Sequence, residues 1–420
     1  MNNPFLLALR IKSFLFLWLS EAFSQIAMNM LNFILILLVF TLTNSNTAVS
    51  GVVLSFTIPA IFFGVLAGVY VDHWNKKYVL FATNILRFGL LILLAIFHKN
   101  LPTVYTLSFL SAIVTQFFIP AETPMIPLLV KKELLFAANA LFSMAWFGAV
   151  LVAYALSGPF LLLFGKTNAL LALAIIFLVA SVFAMLINVP KLVEKKQIKR
   201  AENFNFIEEV KKAFSVIIRI RDVSHAFSLL ILSQILIIII SVIGPGYAKQ
   251  ILHINIESFP LLFVTPAVVG MAVGSYIVTN FFSGFSRHKS ATLGLLFAAI
   301  TVFLMPYGSD AASRGFVHFI NGILPFSWHI SILNIMMLLA FGLGFSNSFI
   351  FVPSNTLIQE QTSDAVRGKI YGALNTAASL ISLIPVIIVG SLADLFGVGT
   401  VLTVLAIIIA IIGLFRSIFL

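Results

Sequence analysis

The stretch SFLFLWLSEAFSQIAMNMLNFILILLVFT, residues 13–41, is an almost unbroken apolar run with a single ionisable side chain, Glu21. About 20 mostly apolar residues suffice to cross about 30 Å of hydrocarbon as a helix. Inside that layer every backbone N–H and C=O must be paired within the segment, so a run of this kind has to be helical. Further stretches of the same kind follow at roughly 48–71, 78–97, 102–124, 137–163 and 168–189. After a hydrophilic loop come roughly 225–248, 257–282, 290–307, 329–355, 369–391 and 397–415. The expectation is an all-α membrane protein with twelve transmembrane helices in two pseudo-symmetric six-helix bundles. Residues 1–189 form the first bundle, 190–224 a cytoplasmic linker and 225–420 the second bundle.

Composition agrees. Of 420 residues, 61% are hydrophobic and 9% charged, and the mean hydropathy is +1.12. A soluble fold of this length has no way to bury that much apolar surface. The net charge of +11 might invite a nucleic-acid reading, but its distribution argues for a membrane. Of the 25 Lys and Arg residues, Lys99, Lys166, Lys249 and Arg314 fall in loops on one side and Arg87 lies within a span. The rest, from Arg10 and Lys12 through Lys76, Lys77, Lys131 and the linker lysines to Arg416, fall on the other. Basic residues concentrate in cytoplasmic loops, so both termini are expected in the cytoplasm of a multi-pass inner-membrane protein. The first run is too long for a cleaved leader and is expected to remain as the first span. The absence of cysteine rules out disulfides and thiol chemistry.

The halves show traces of duplication. Gly64-Val-Leu-Ala-Gly68-Val-Tyr70-Val-Asp72 in the second span recurs as Gly270-Met-Ala-Val-Gly274-Ser-Tyr276-Ile-Val278 in the eighth. Pro120, Thr123, Ala140 and Leu141 recur as Pro353, Thr356, Ala373 and Leu374. Two matches in the same helix order point to repeated halves, as in transporters with a midplane binding site. In the linker, Asn205 and Glu208 resemble a capping box. Ile207, Val210, Phe214, Ile217 and Arg221 then share one face of an amphipathic helix, expected to lie on the inner leaflet.

Polar side chains within spans are costly and therefore candidates for function. Glu21, Gln25, Asn29 and Asn32 fall within an arc of roughly 80° on the first span, at about 100° per residue. Such a stripe faces a bundle interior or a water-filled cavity. Glu21, about 14 Å past Lys12 at 1.5 Å per residue, is expected near the midplane. A carboxyl there can load and release a proton as the cavity alternates, or simply bond a neighbouring helix. Arg87, one turn after Asn84, is a candidate partner for Glu21 or a structural group near the cytoplasmic end. Gln116, Gln234, Asn347 and Asn375 complete the candidate cavity, although such residues more often bridge helices. The histidines have no ligand spacing and no phosphate-binding loop is present, so neither metal nor cofactor is expected and the chain does not hydrolyse ATP.

The stretch Gly68-Val-Tyr-Val-Asp72-His-Trp-Asn-Lys76-Lys77 between the second and third spans resembles the signature loop of the major facilitator superfamily. His73 and Asn75 depart from that family's usual Arg and Gly. Phe117-Phe-Ile-Pro120-Ala-Glu-Thr-Pro-Met-Ile-Pro127, Ala138-Asn139-Ala-Leu141, Gln359, Arg367-Gly368-Lys369 and Gly390-Ser-Leu-Ala-Asp394-Leu-Phe-Gly397 are similar to the branch containing macrolide-efflux and enterobactin-export proteins. The resemblance implies alternating access and proton-driven export of a small amphipathic molecule or drug. Gly68, Asp72, Lys76, Lys77, Arg367 and Gly368 would serve a gating loop. The family's arginine motif in the fourth helix is absent, and only Gly158-Pro159 of its glycine-rich motif is present in the fifth. The implied partners are a small-molecule substrate, protons and the lipid bilayer, with no nucleic acid, and a monomer suffices. A lysophospholipid translocator of the same fold and a non-transporting receptor or scaffold are the alternatives.

Overall fold

A computed structural model describes residues 4–189, 219–282, 285–309, 318–319, 321, 331–362 and 364–419. Within these helices the side chains of a few residues, including Asp72, Arg367 and Asn375, fall outside the description. Among the described residues every regular element is helical. The linker expectation, with its capping box at Asn205, falls largely on 190–218, outside the described residues.

The chain opens with α1 (Lys12–Thr43), α2 (Asn46–His73), α3 (Lys76–Phe97) and α4 (Leu101–Glu122). The long element Leu135–Leu186 follows and breaks at Gly165, whose φ of 70° and ψ of 171° interrupt the helix. Left-handed φ is the conformation glycine adopts without penalty. As one rod, the element would run about 78 Å at 1.5 Å per residue, far more than one crossing needs. The break divides it into α5 (135–164) and α6 (166–186). Lys166, just past the break, donates to Thr41 Oγ1 at 2.8 Å, tying the turn to the end of α1.

The second unit contains α7 (Arg221–Gln250), α8 (Thr265–Phe281), α9 (Arg287–Leu304), α10 (Ile332–Gln361), α11 (Asp364–Phe396) and α12 (Val398–Phe419). A π-helical turn, Pro260–Val264, leads into α8. Counting α5 and α6 separately, the described residues hold twelve helices of membrane-spanning type, matching the count read from the sequence. Observed helices overrun the expected spans by a turn or so at several ends, most at α11, which starts at Asp364. Arg367 and Gly368 therefore lie in its first turns rather than in a loop.

The described residues fall into two compact units. One holds 4–42 and 51–189, and the other holds 43–50 with the described residues from 219 onward. In the first, α3 packs against α4 and against the α5–α6 element. Trp18 Nε1 donates to Leu141 O at 2.9 Å and Ser20 Oγ to Ala180 O at 3.0 Å, fastening α1 to α5 and α6. In the second, α10 packs against α7, α8 and α9, while α9 also meets α12 and α7 meets α11. A Cβ added at Gly344 would lie 1.7 Å from Ala267 O, and one at Gly270 would lie 2.0 Å from Phe341 O. The α8–α10 contact is thus backbone against backbone, the close approach that small residues permit between membrane helices. Gly274 is packed in the same way, its Cβ position 2.8 Å from Phe345 O, whereas its first-half counterpart Gly68 has nothing within 4 Å of such a Cβ.

Candidate functional site

The ionisable groups buried in the first unit converge from three helices. Glu21 on α1 is 1% exposed, Arg87 on α3 1% and Glu122, the last residue of α4, 4%. The two carboxyls face one another, with Gln25 beside Glu21 and Arg87 within Coulombic reach of both. The Arg87 guanidinium lies 4.7 Å from the Phe118 ring centroid on α4 and 5.4 Å from that of Phe177 on α6. Aromatic faces attract a cation through the ring quadrupole, and the attraction grows when water is excluded. Asn84 Oδ1 accepts from Ser24 Oγ at 2.6 Å and from Arg87 Nη1 at 3.4 Å. One asparagine thereby links the polar face of α1 to the arginine.

These bonds leave much of the cluster unsatisfied. Among the described residues, both Glu21 oxygens, Glu122 Oε2, Arg87 Nε and Nη2, and Asn84 Nδ2 are buried without a hydrogen-bond partner. Buried polar atoms are nearly always paired, and an unpaired one costs about 1–3 kcal/mol, more if charged. Phe14, Leu17, Leu80, Phe118, Ala121 and Met125 belong to one apolar cluster that packs around the turns of α1 preceding Glu21.

Glu21 lies in the first half of α1, a helix of 32 residues and about 48 Å of rise. Arg87 is buried, within Coulombic reach of Glu122 as well as Glu21. Glu122 lies inside the span expected at 102–124 but is not among the residues the sequence reading singles out; the signal that could have found it is an acid within that span, two positions after Pro120.

The remaining candidates are dispersed. On α1, Asn29 Nδ2 donates to Gln25 O at 2.8 Å, and Asn32 Oδ1 is buried without a partner. Gln116 Nε2 donates to Ala112 O at 3.3 Å, while its Oε1 lies beside Gly64. In the second unit Asn347 Oδ1 accepts from Ser233 Oγ at 2.6 Å, bridging α10 to α7, and Gln234 is half-buried on α7. Asn375 lies on α11.

The expected gating loop shrinks to Trp74 and Asn75. Gly68 and Asp72 belong to α2, and Lys76 and Lys77 open α3. Asn75 caps α3, its Oδ1 accepting from Lys77 N at 3.1 Å, so the departure from glycine supplies a favoured N-cap.

Comparison with known proteins decides the family. The family model described as Major Facilitator Superfamily matches residues 17–327. The chain belongs to that superfamily. It is a multi-pass membrane transporter and not an enzyme. Macrolide efflux protein A of Streptococcus pyogenes is 24% identical over 96% of both chains. Among solved structures, the nucleoside transporter NupG has a TM-score of 0.72 at 11% identity, covering 96% of this chain and 99% of that one. The POT family transporter PepTSo has a TM-score of 0.68 at 14% identity, over 96% and 97%. At these identities the solved structures speak for the fold alone.

Proposed function

We propose that this superfamily member is a proton-coupled exporter of small amphipathic molecules, with both termini in the cytoplasm of the cell membrane. The observation that carries the reading is the buried trio of Glu21, Glu122 and Arg87. Two acids and one guanidinium leave one negative charge if all three ionise, and an uncompensated charge at this burial costs several kcal/mol. One proton on the carboxyl pair makes the trio neutral. That proton is the exchangeable one, and access to it from one face and then the other couples its movement to the alternation of the transporter. The unpartnered carboxylate and guanidinium atoms are the groups that proton entry and exit would satisfy in turn.

Export and the substrate class rest on likeness to the macrolide efflux protein, and the orientation on the basic side of the chain. The test is transport in proteoliposomes with an imposed pH gradient, screened with dyes, macrolides, siderophores and lysolipids. Wild type should move substrate against its gradient only when protons flow the other way. Glu21→Gln and Glu122→Gln should each abolish the response to the pH gradient while the protein still binds substrate. Gradient-driven transport retained in both variants would refute proton handling by the trio.

A further inference from the structure

The carboxyl pair stands at one end of a longer polar row. Glu21 and Glu122 face one another across α1 and α4. About two turns along each helix, Thr115 Oγ1 donates to Met28 Sδ at 3.6 Å. The two contacts fix α1 and α4 antiparallel in one register. Carried a further turn, that register brings Asn32 level with Ser111, and the next turn brings Leu35 level with Ser108. At about 100° per residue, Glu21, Gln25, Met28 and Asn32 share an arc of about 60° on α1. Glu122, Thr115, Ser111 and Ser108 share a similar arc of about 60° on α4. These are the faces that meet.

Among the described residues, Asn32 Oδ1, Ser111 Oγ and Ser108 Oγ are buried without a hydrogen-bond partner. The two serines are 3% and 2% exposed. Orphaned polar atoms are costly in an apolar layer, and the ordinary partner of such groups is a water making about three hydrogen bonds. Gln25, Met28, Asn32 and Thr115 are half-buried, so this stretch of the seam leaves room for molecules of that size. On the other side of the pair the surroundings are apolar, with Phe14, Leu17, Ala121 and Met125 in one packed cluster. The row therefore leaves the carboxyls in one direction, and it ends level with Leu35, which is fully buried. We infer that a file of water molecules lies in the α1–α4 seam, held by Asn32, Ser111 and Ser108, and that protons reach Glu21 and Glu122 along it. One helical turn advances about 5.4 Å, close to what one water spans with two hydrogen bonds of about 2.8 Å. Each water accepts one proton and passes on another, so neither atoms nor charge accumulate in the file. At its end a hydronium O–H bond breaks as a carboxyl O–H bond forms. Arg87, which reaches the pair from α3, balances charge there and transfers nothing. This path rests on the single proton proposed above for the pair.

The experiment is infrared spectroscopy of the purified full-length protein. It reads the carbonyl stretch of a protonated carboxyl and the rate at which that band shifts on transfer to D2O. Wild type should show the band, and Glu21→Gln should lack it. Asn32→Leu and Ser111→Val should keep the band but slow its exchange about tenfold, the scale of losing one partner from a buried polar row. Ser108→Ala combined with Ser111→Ala deletes only two hydroxyls and should slow exchange as well, which keeps the test open if a bulkier variant fails to fold. Ser181→Ala is the control, because Ser181 Oγ on α6 has its own acceptor in Leu178 O at 2.6 Å. It should exchange like wild type. Unchanged exchange in the seam variants, or equal slowing in Ser181→Ala, overturns the water file while the protonated pair stands. A wild type that lacks the band removes the protonated pair, and the path to it falls too.

Discussion

Asp394 Oδ1 on α11 accepts from the backbone N–H of Asn46 at 2.8 Å and from its Nδ2 at 2.9 Å, fixing the first turn of α2 to the end of α11. The other carboxylate oxygen accepts from Thr47 N at 2.9 Å, Thr47 Oγ1 at 2.8 Å and Ser45 Oγ at 2.6 Å. An anion at a helix N-terminus is favoured both by the free N–H groups and by the helix dipole. One turn earlier on α11, a Cβ on Gly390 would lie 2.1 Å from Ser50 Oγ, so only glycine allows this approach.

From this contact we expect Asp394→Ala to lower stability by about 1–3 kcal/mol, the scale of losing a charged acceptor that serves several donors. Asp394→Asn should cost less, since it keeps an acceptor oxygen. Thermal unfolding in detergent orders the three proteins, and equal Tm values would mean that solvent replaces the carboxylate without loss.

The repeated glycines make a second prediction, because the two copies are packed differently. Gly274→Ala brings a Cβ to 2.8 Å from Phe345 O on the backbone of α10, and overpacking of this kind costs about 1–3 kcal/mol or more. Gly68→Ala meets open space and should be neutral, or stabilising by up to about 1 kcal/mol through helix propensity. If Gly68→Ala stays as stable as wild type but loses transport, the glycine is needed in another conformation of the cycle. If it transports normally, the signature glycine is dispensable here.

The twelve spans were legible because hydrophobic length is a local property of the chain. The boundary between α5 and α6 was too, as Lys166, Thr167 and Asn168 interrupt the apolar run beside Gly165. The candidate site was only half legible. Glu21 and Arg87 announce themselves as charges inside spans, but nothing local to Glu122 says that the end of α4 returns beside α1. Asp394 was visible as part of a motif, yet its partners lie 347–349 positions away. Relations of that range come from helix packing and carry no local signature.

Arg87 supplies the last prediction. Arg87→Gln leaves Glu21 and Glu122 facing each other without their cation, and removing one partner of a buried charge set costs about 3–5 kcal/mol. We expect a large fall in Tm and in the yield of folded protein. Glu122→Gln added to that background removes one carboxyl, so the double variant should recover much of the loss. Arg87→Lys should recover less than its charge suggests, because a compact ammonium cannot lie flat between Phe118 and Phe177 while reaching Asn84. Near-additive losses in the Arg87→Gln/Glu122→Gln pair would show that the two side chains do not share one charge balance. In that event the neutral trio, and the single exchangeable proton it implies, would have to be abandoned even if both carboxyls proved necessary for transport.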